Sequence, residues 1–233
     1  MAIDFAGAGA VADPGRPPRL IRPGLWLFPP HRDNGGGSSW VLEPQGSAPA
    51  LLVDVPGFTA ASLAALQALG SHGVIVLTGR QGHGRCRRLQ EQLGWPVWVQ
   101  QQEAYLLPGV QGLHPWAEDQ ELAGGQLLWT PGPSPGAAVL RILRHGLDLL
   151  FCGRLLLPLA PGRVAPLRTA CTFHWPRQQR SVDHLLRWLP AGSPAWIACG
   201  SGLGALRGEV LVPVGPGWRQ GLMGGTGEGP QAP

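Results

Sequence analysis

The residues best equipped for chemistry cluster in one short segment, Thr78-Gly79-Arg80-Gln81-Gly82-His83-Gly84. It follows an apolar, β-branched run (Val74 to Leu77) and precedes a helical pattern that reaches Leu93. A strand that passes through a Gly-rich turn into a helix is a ready place to hold polar groups against a ligand. His83 can act there as a base, ligate a single metal, or simply face solvent at the helix start. Arg80 and Arg85 flank it, and guanidinium groups bind carboxylate and phosphate in bidentate fashion. Arg85, Arg87 and Arg88 with Glu91 read as a solvated helix face, not as a nucleic-acid patch. None of the four cysteines, Cys86, Cys152, Cys171 and Cys199, belongs to a CxxC pair, which argues against a structural zinc or a thioredoxin-type centre. Cys152 and Cys199 fall at the ends of expected strands and read as small buried packing residues, with a thiol role as the alternative. No Ser-His-acid spacing stands out.

These groups need a scaffold, and 233 residues suffice for one domain with a sizeable core. Lysine is absent, so all 18 basic residues are arginine. That bias explains much of the pI of about 9.4, which therefore says little about acidic partners. The 36 Gly and 25 Pro would suggest disorder, but 44% of the chain is hydrophobic and falls in short ordered runs. Asp4 and Asp13 interrupt the N-terminal stretch, so no signal peptide is expected. No apolar run reaches the roughly 20 residues of a membrane span. A soluble, cytoplasmic protein with reduced thiols is expected. Residues 1–19 and 216–233, rich in Gly, Ala and Pro, read as disordered tails around one domain, 20–215.

Within that domain strands and helices alternate. Strands are expected over 24–28, 38–43, 51–54, 74–77 and 97–99, the first two joined by a Gly-rich loop at 34–37. A helix capped by Thr59 carries Leu63, Leu66 and Leu69, and a second runs from about Gly84 to Leu93 with Cys86, Leu89 and Leu93 inward and Gly94 as its stop. The second half reads as more antiparallel, with strands at 126–129, 138–143, 147–151 and 195–198 and a hairpin turn at Arg144-His145-Gly146. A helix from Ser181 to Leu189 ends at Pro190. His174-Trp175-Pro176 before it reads as a loop turn. Trp26, Trp40, Trp98, Trp129 and Trp196 sit in strands as core residues, while Trp95, Trp116, Trp175 and Trp218 are candidates for exposed loops.

Five of these segments, in order, resemble motifs of the metallo-β-lactamase superfamily. Leu51-Leu-Val-Asp54 with Pro56-Gly57 is similar to its aspartate-ended strand and turn. Val76-Leu77-Thr78 stands where the family reads leucine-threonine-histidine. Trp129-Thr130-Pro131-Gly132-Pro133-Ser134-Pro135-Gly136 resembles its histidine-threonine-proline-glycine-histidine-serine-proline-glycine run. Leu149-Leu-Phe-Cys-Gly-Arg154 and Cys199-Gly-Ser-Gly202 resemble the two later site motifs. The match runs from about Gly24 to Gly202 and implies an α/β, four-layer αββα sandwich.

The resemblance also implies a dinuclear metal site that makes a metal-bound hydroxide. Here the ligand positions are altered. Gly79 and Gln81 stand where two His are expected, His83 where an Asp is, and Gly84 where a third His is. Pro133 replaces the turn His, Arg154 the bridging Asp, and Ser201 the final His. Arg154 is permanently charged and has no lone pair to donate. Two unit charges near 4 Å repel by roughly 4 kcal/mol at an intermediate dielectric, and a divalent ion about doubles that.

The expectation is therefore a degenerate member without metal or other cofactor: a non-catalytic binding or assembly protein. Its pocket, formed by Arg80, Gln81, His83, Arg154 and Ser201, would take a small anion or a protein segment, with neither nucleic acid nor membrane as partner. The competing expectation is a hydrolase with a remodelled site. That site would use one metal at His83 with His31, His114 or His174, or would be metal-independent through Ser201 or a cysteine.

Overall fold

The structure is a computed structural model that describes Val11 and residues 13–223. Its first sheet has seven strands in sequential order: β1 (Arg19–Arg22), β2 (Leu25–Leu27), β3 (Trp40–Leu42), β4 (Ala50–Val53), β5 (Gly73–Val76), β6 (Val97–Gln100) and β7 (Leu113–Trp116). Helix α1 (Ala60–Gln67) connects β4 to β5, and α2 (Cys86–Leu93) connects β5 to β6. Both crossovers join parallel strands, which need a helix-length connection. Strands β8 (Gln120–Leu122), β9 (Gly125–Trp129), β10 (Ala138–Arg144) and β11 (Leu147–Gly153) then form an antiparallel meander. A small hairpin, β12 (Leu157–Ala160) and β13 (Arg163–Ala165), follows. After α3 (Trp175–Trp188), β14 (Trp196–Cys199) pairs parallel to β11, and β15 (Val212–Pro213) completes a six-stranded second sheet.

Period-2 alternation turns these two sheets into layers. On β4, Leu51 and Val53 face the second sheet, while Ala50 and Leu52 face α1 and α2. On β5, Val74 and Val76 point inward, and Ile75 and the following Leu77 point out. Leu127, Leu140, Phe151 and Ala198 meet them from the second sheet. Leu150, Cys152 and Ile197 face outward and pack on Val182 and Leu185 of α3. The order is helix, sheet, sheet, helix, as the αββα reading expects.

Local signals act as their chemistry dictates. The Thr59 hydroxyl accepts from Ser62 N at 3.1 Å and caps α1. Gly94 takes the left-handed cap of α2, with φ 68°. His145 and Gly146, both at positive φ, make the tight turn between β10 and β11.

Three expectations are corrected. Helix α3 begins at Trp175, six residues earlier than expected. His174, taken for a loop residue, is its N-cap, with Nδ1 accepting from Arg177 N at 3.1 Å, and Pro176 sits in the first turn, where no N–H is needed. Trp95 and Trp116, taken for loop residues, are 1% and 4% exposed and belong to the core. The expected tails are ordered as far as they are described. Asp13 O and Pro14 O accept from Ala60 N and Ala61 N at the start of α1. Helix α4 (Trp218–Met223) is held by Arg219, which donates to the carbonyls of Leu186, Leu189, Pro190 and Ser193. The remaining residues of both expected tails lie outside the described residues. No helix among the described residues is long and apolar enough to cross a membrane.

Candidate functional site

Five chain segments meet at one end of the sandwich. Thr78 O accepts from Ala138 N at 2.9 Å, which ties the end of β5 to the start of β10. Gly153 O accepts from Gly200 N at 2.7 Å, and Gly200 O from Ser38 N at 3.1 Å. The ends of β5, β11 and β14, the 131–137 turn and the 34–38 loop thus share one floor.

Asp54 forms that floor. It is 4% exposed, and its backbone lies in the left-handed region at φ 59°. Oδ1 accepts from Thr78 N at 2.8 Å and Oδ2 from Thr78 Oγ1 at 2.6 Å. Glycines make room for this pair. A Cβ on Gly82 would collide with Asp54 Oδ1, and one on Gly153 would lie 2.7 Å from Thr78 Oγ1. Burial pushes the Asp54 carboxyl up to about 6, against the lowering pull of the Thr78 bonds and of the His83 and Arg154 charges.

Above the floor lies a cavity lined by Asp54, Thr78, Gln81, Pro133, Ser134 and Arg154, among others. The centre of a water-sized sphere has about 10 Å3 of it to move in, room for roughly one water. Arg154 Nε is buried there without a hydrogen-bond partner. Among the described residues no carboxylate lies within 4.0 Å of its guanidinium nitrogens. Gln81, Pro133 and Arg154 also line an outer cavity rimmed by Thr169, Cys171 and Thr172. One side chain, Arg154, therefore spans an inner polar hollow and an outer mouth.

The five expected pocket residues separate. Gln81 and Arg154 share the cavity. Ser201 follows Gly200, which lines the cavity; its carbonyl accepts from Ser38 Oγ at 2.8 Å and its Oγ is buried without a partner. His83 and Arg80 turn instead to Glu103, a residue that the sequence reading passed over. Glu103 sits in the 3-10 turn Gln101–Leu106 and is fully buried. Its Oε2 lies 3.4 Å from His83 Nε2, an ion contact without the alignment of a formed hydrogen bond. Its Oε1 accepts from Gly136 N at 3.1 Å and lies 3.9 Å from Arg80 Nε. Burial works to raise the Glu103 carboxyl, but His83, Ser134 and the Gly136 N–H together hold it below the ordinary value. A group lowered on folding stabilises the fold above its unfolded pKa, and that contribution is lost as pH falls through the folded one. Glu103→Gln is thus expected to cost about 2 kcal/mol near neutral pH, and progressively less on acidification. Urea unfolding of both proteins across an acid pH series checks this.

The other imidazoles named as metal partners are engaged elsewhere. His31 lies between Asp13 and Asp33, at 3.1 and 3.3 Å. His114 stacks on Trp98 with ring centroids 5.1 Å apart, and His174 caps α3. Among the described residues no group of three or more His, Cys, Asp or Glu side chains could hold a metal ion. The donors near Arg154 are a serine, a glutamine and an Asp54 already bound to Thr78, beside a fixed positive charge. That set does not fit a dinuclear metal centre. Cys152 and Cys199 do meet, with sulfurs 3.6 Å apart in the core. The neighbouring Cys152 thiol, and then burial, push Cys199 well above the ordinary thiol range, so it holds its proton.

No family model and no curated protein matches this sequence. Solved structures do. The chain is similar to DIM-1 metallo-β-lactamase with a TM-score of 0.63 and 15% identity, over 82% of this chain and 94% of that one. Similarity to the B3 metallo-β-lactamase BLEG-1 has a TM-score of 0.56 at 18% identity, over 76% and 91% of the two chains. A metallo-β-lactamase superfamily protein from Sulfolobus tokodaii matches with a TM-score of 0.53 at 17% identity, over 87% and 85%. What is shared at these identities is the fold.

Proposed function

From its metallo-β-lactamase fold, we propose that this chain is a non-catalytic member of that architecture. It keeps the scaffold and uses the end of the sandwich to bind a small anion through Arg154. Function resides in sites and not in folds, so altered ligand positions weigh against the parent chemistry. One observation carries the reading: the Arg154 guanidinium, just past the end of β11, has a buried Nε with no hydrogen-bond partner, and no carboxylate among the described residues lies within 4.0 Å of it. A buried unpaired donor is costly, and an anion with planar paired oxygens, such as a carboxylate, is what a guanidinium fork accepts. Burial raises the Asp54 carboxyl in the same cavity to about 6, so its competing negative charge weakens as pH falls toward that value.

The test is metal content together with anion binding. Protein grown with added zinc, iron and manganese is expected to carry less than about a tenth of an equivalent by plasma mass spectrometry. Acetate is expected to shift the Arg154 side-chain NMR signal saturably, and Arg154→Ala to weaken acetate binding about tenfold or more. Two metals per chain, or one that His83→Ala removes, would replace this reading with a remodelled hydrolase.

A further inference from the structure

We propose that a second groove, between the start of α2 and the facing 106–110 loop, binds a small organic phosphate. It is separate from the Arg154 cavity. The groove has a volume of about 530 Å3, the size of a small-molecule site. Arg32, Arg85, Arg87 and Arg88 line it, with Asp33 as the one carboxylate among the lining residues.

The charges there are not balanced from within. Arg85 Nε donates to Asp33 Oδ1 at 3.1 Å and Arg87 Nε to Glu91 Oε1 at 2.8 Å. Each bond occupies only Nε and leaves the outer nitrogens of the fork free. Arg32 and Arg88 have no carboxylate within 4.0 Å among the described residues. The arrangement also opposes the helix dipole. Arg85 at the N-cap gives no side-chain cap, no acidic residue lies in the first turn, and Arg87 and Arg88 crowd that turn instead. Positive charge at the positive end of a helix is unfavourable, and a bound dianion relieves both the dipole and the arginines.

His83, 8% exposed, also lines this groove, but its buried Nε2 is directed at Glu103 Oε2, 3.4 Å away, so the ring helps to form the groove and leaves ligand contact to the arginines. The opposite wall is apolar, formed by Leu106, Leu107, Pro108 and Val110. Arg87 reaches across to that wall, where a Cβ on Gly109 would lie 3.2 Å from its Cζ. Guanidinium forks on one side suit a three-oxygen anion, and the apolar wall suits the organic body attached to it.

The test is calorimetric titration of the full chain with inorganic phosphate and with phenyl phosphate. Phenyl phosphate is expected to bind about tenfold tighter, because its ring is removed from water against the loop. The Arg32→Ala/Arg88→Ala double variant, at two exposed positions, is expected to lose about tenfold or more in affinity for both probes. Arg154→Ala is expected to leave both affinities unchanged, so this site and the proposed acetate site stand or fall separately. Lack of saturable binding by either probe would overturn the proposal. So would loss of binding in Arg154→Ala alone, or binding of anionic vesicles or oligonucleotides with no response to phenyl phosphate.

Discussion

Asp54→Ala is expected to cost about 4 kcal/mol of folding stability near pH 5, whereas Asp54→Asn changes how stability depends on pH. Alanine strands the Thr78 N–H and hydroxyl that now donate to the carboxylate at 2.8 and 2.6 Å. It must also adopt φ 59°, a conformation that costs a residue with Cβ about 1 kcal/mol and that Asn tolerates better. The pH effect has a defined sign. The Asp54 carboxyl rises from an ordinary 3.8 to about 6 in the fold. Between those values the folded state holds a proton that the unfolded chain has released. Stability must therefore fall as pH climbs from 3.8 to about 6, by roughly 3 kcal/mol from this group alone. Glu103, Asp33 and Asp13, all lowered, act in the opposite sense on the acid side. The difference between parent and Asp54→Asn isolates Asp54: the parent should lose ground to the variant through that window. Urea unfolding of both at half-unit pH steps measures it. Parallel curves would show that Asp54 is not buried as a strained carboxyl.

The layers were legible wherever one physical rule dominated. Val74 to Leu77 is apolar on both sides of the pleat, as a strand between another sheet and a helix must be. Gly94, Thr59 and the His145-Gly146 turn each act through a local backbone requirement, and each was placed correctly. Short edge strands were not legible. Leu113–Trp116 contains His114 and Pro115, and Gln120–Leu122 has two polar residues in succession, so neither shows a clean period of two. What makes them strands is pairing with β6 and β9, which no local window contains. The start of α3 was lost for a different reason: Pro176 reads as a breaker in mid-helix but as an initiator in the first turn.

At the site, the sequence showed which groups were present and left open whom each would face. Gln81 and Arg154 lie far apart in the chain and meet because β5 and β11 end on the same floor. His83 lies two residues after Gln81 and faces the other way, because the 3-10 turn at Arg80–Gly82 rotates the chain before α2 begins. Nothing in Gln101-Gln-Glu-Ala-Tyr-Leu106 marks Glu103 as the buried partner of that imidazole. Its role depends on a glycine-lined approach, where a Cβ on Gly136 would lie 2.9 Å from Glu103 Cγ. Of the tryptophans expected in the core, only Trp40 is fully buried; Trp98, Trp129 and Trp196 pack half-buried against the inter-sheet core, and Trp26 against the layer beneath α1 and α2.

That one tryptophan links the two sheets, and Trp40→Ala is expected to cost about 5 kcal/mol, enough to unfold a chain of ordinary stability. Trp40 belongs to β3 of the first sheet, is 1% exposed, and tilts against Phe151 of β11 with ring centroids 6.3 Å apart. Its Nε1 donates to Cys199 O at 3.0 Å, across the sandwich and one residue before the Gly200 that lines the Arg154 cavity. Truncation leaves a void between sheets that cannot collapse without moving both, and strands a buried carbonyl. Trp40→Phe separates the two losses. It keeps most of the apolar volume, gives up the hydrogen bond, and is expected to cost about 2 kcal/mol. Urea midpoints for the three proteins at a shared slope would measure both steps. If phenylalanine costs as much as alanine, the Cys199 carbonyl is the dominant link between the sheets. If neither substitution matters, Trp40 does not bridge them, and the end of β14 must be held beside Arg154 by the Gly153 and Ser38 backbone bonds alone.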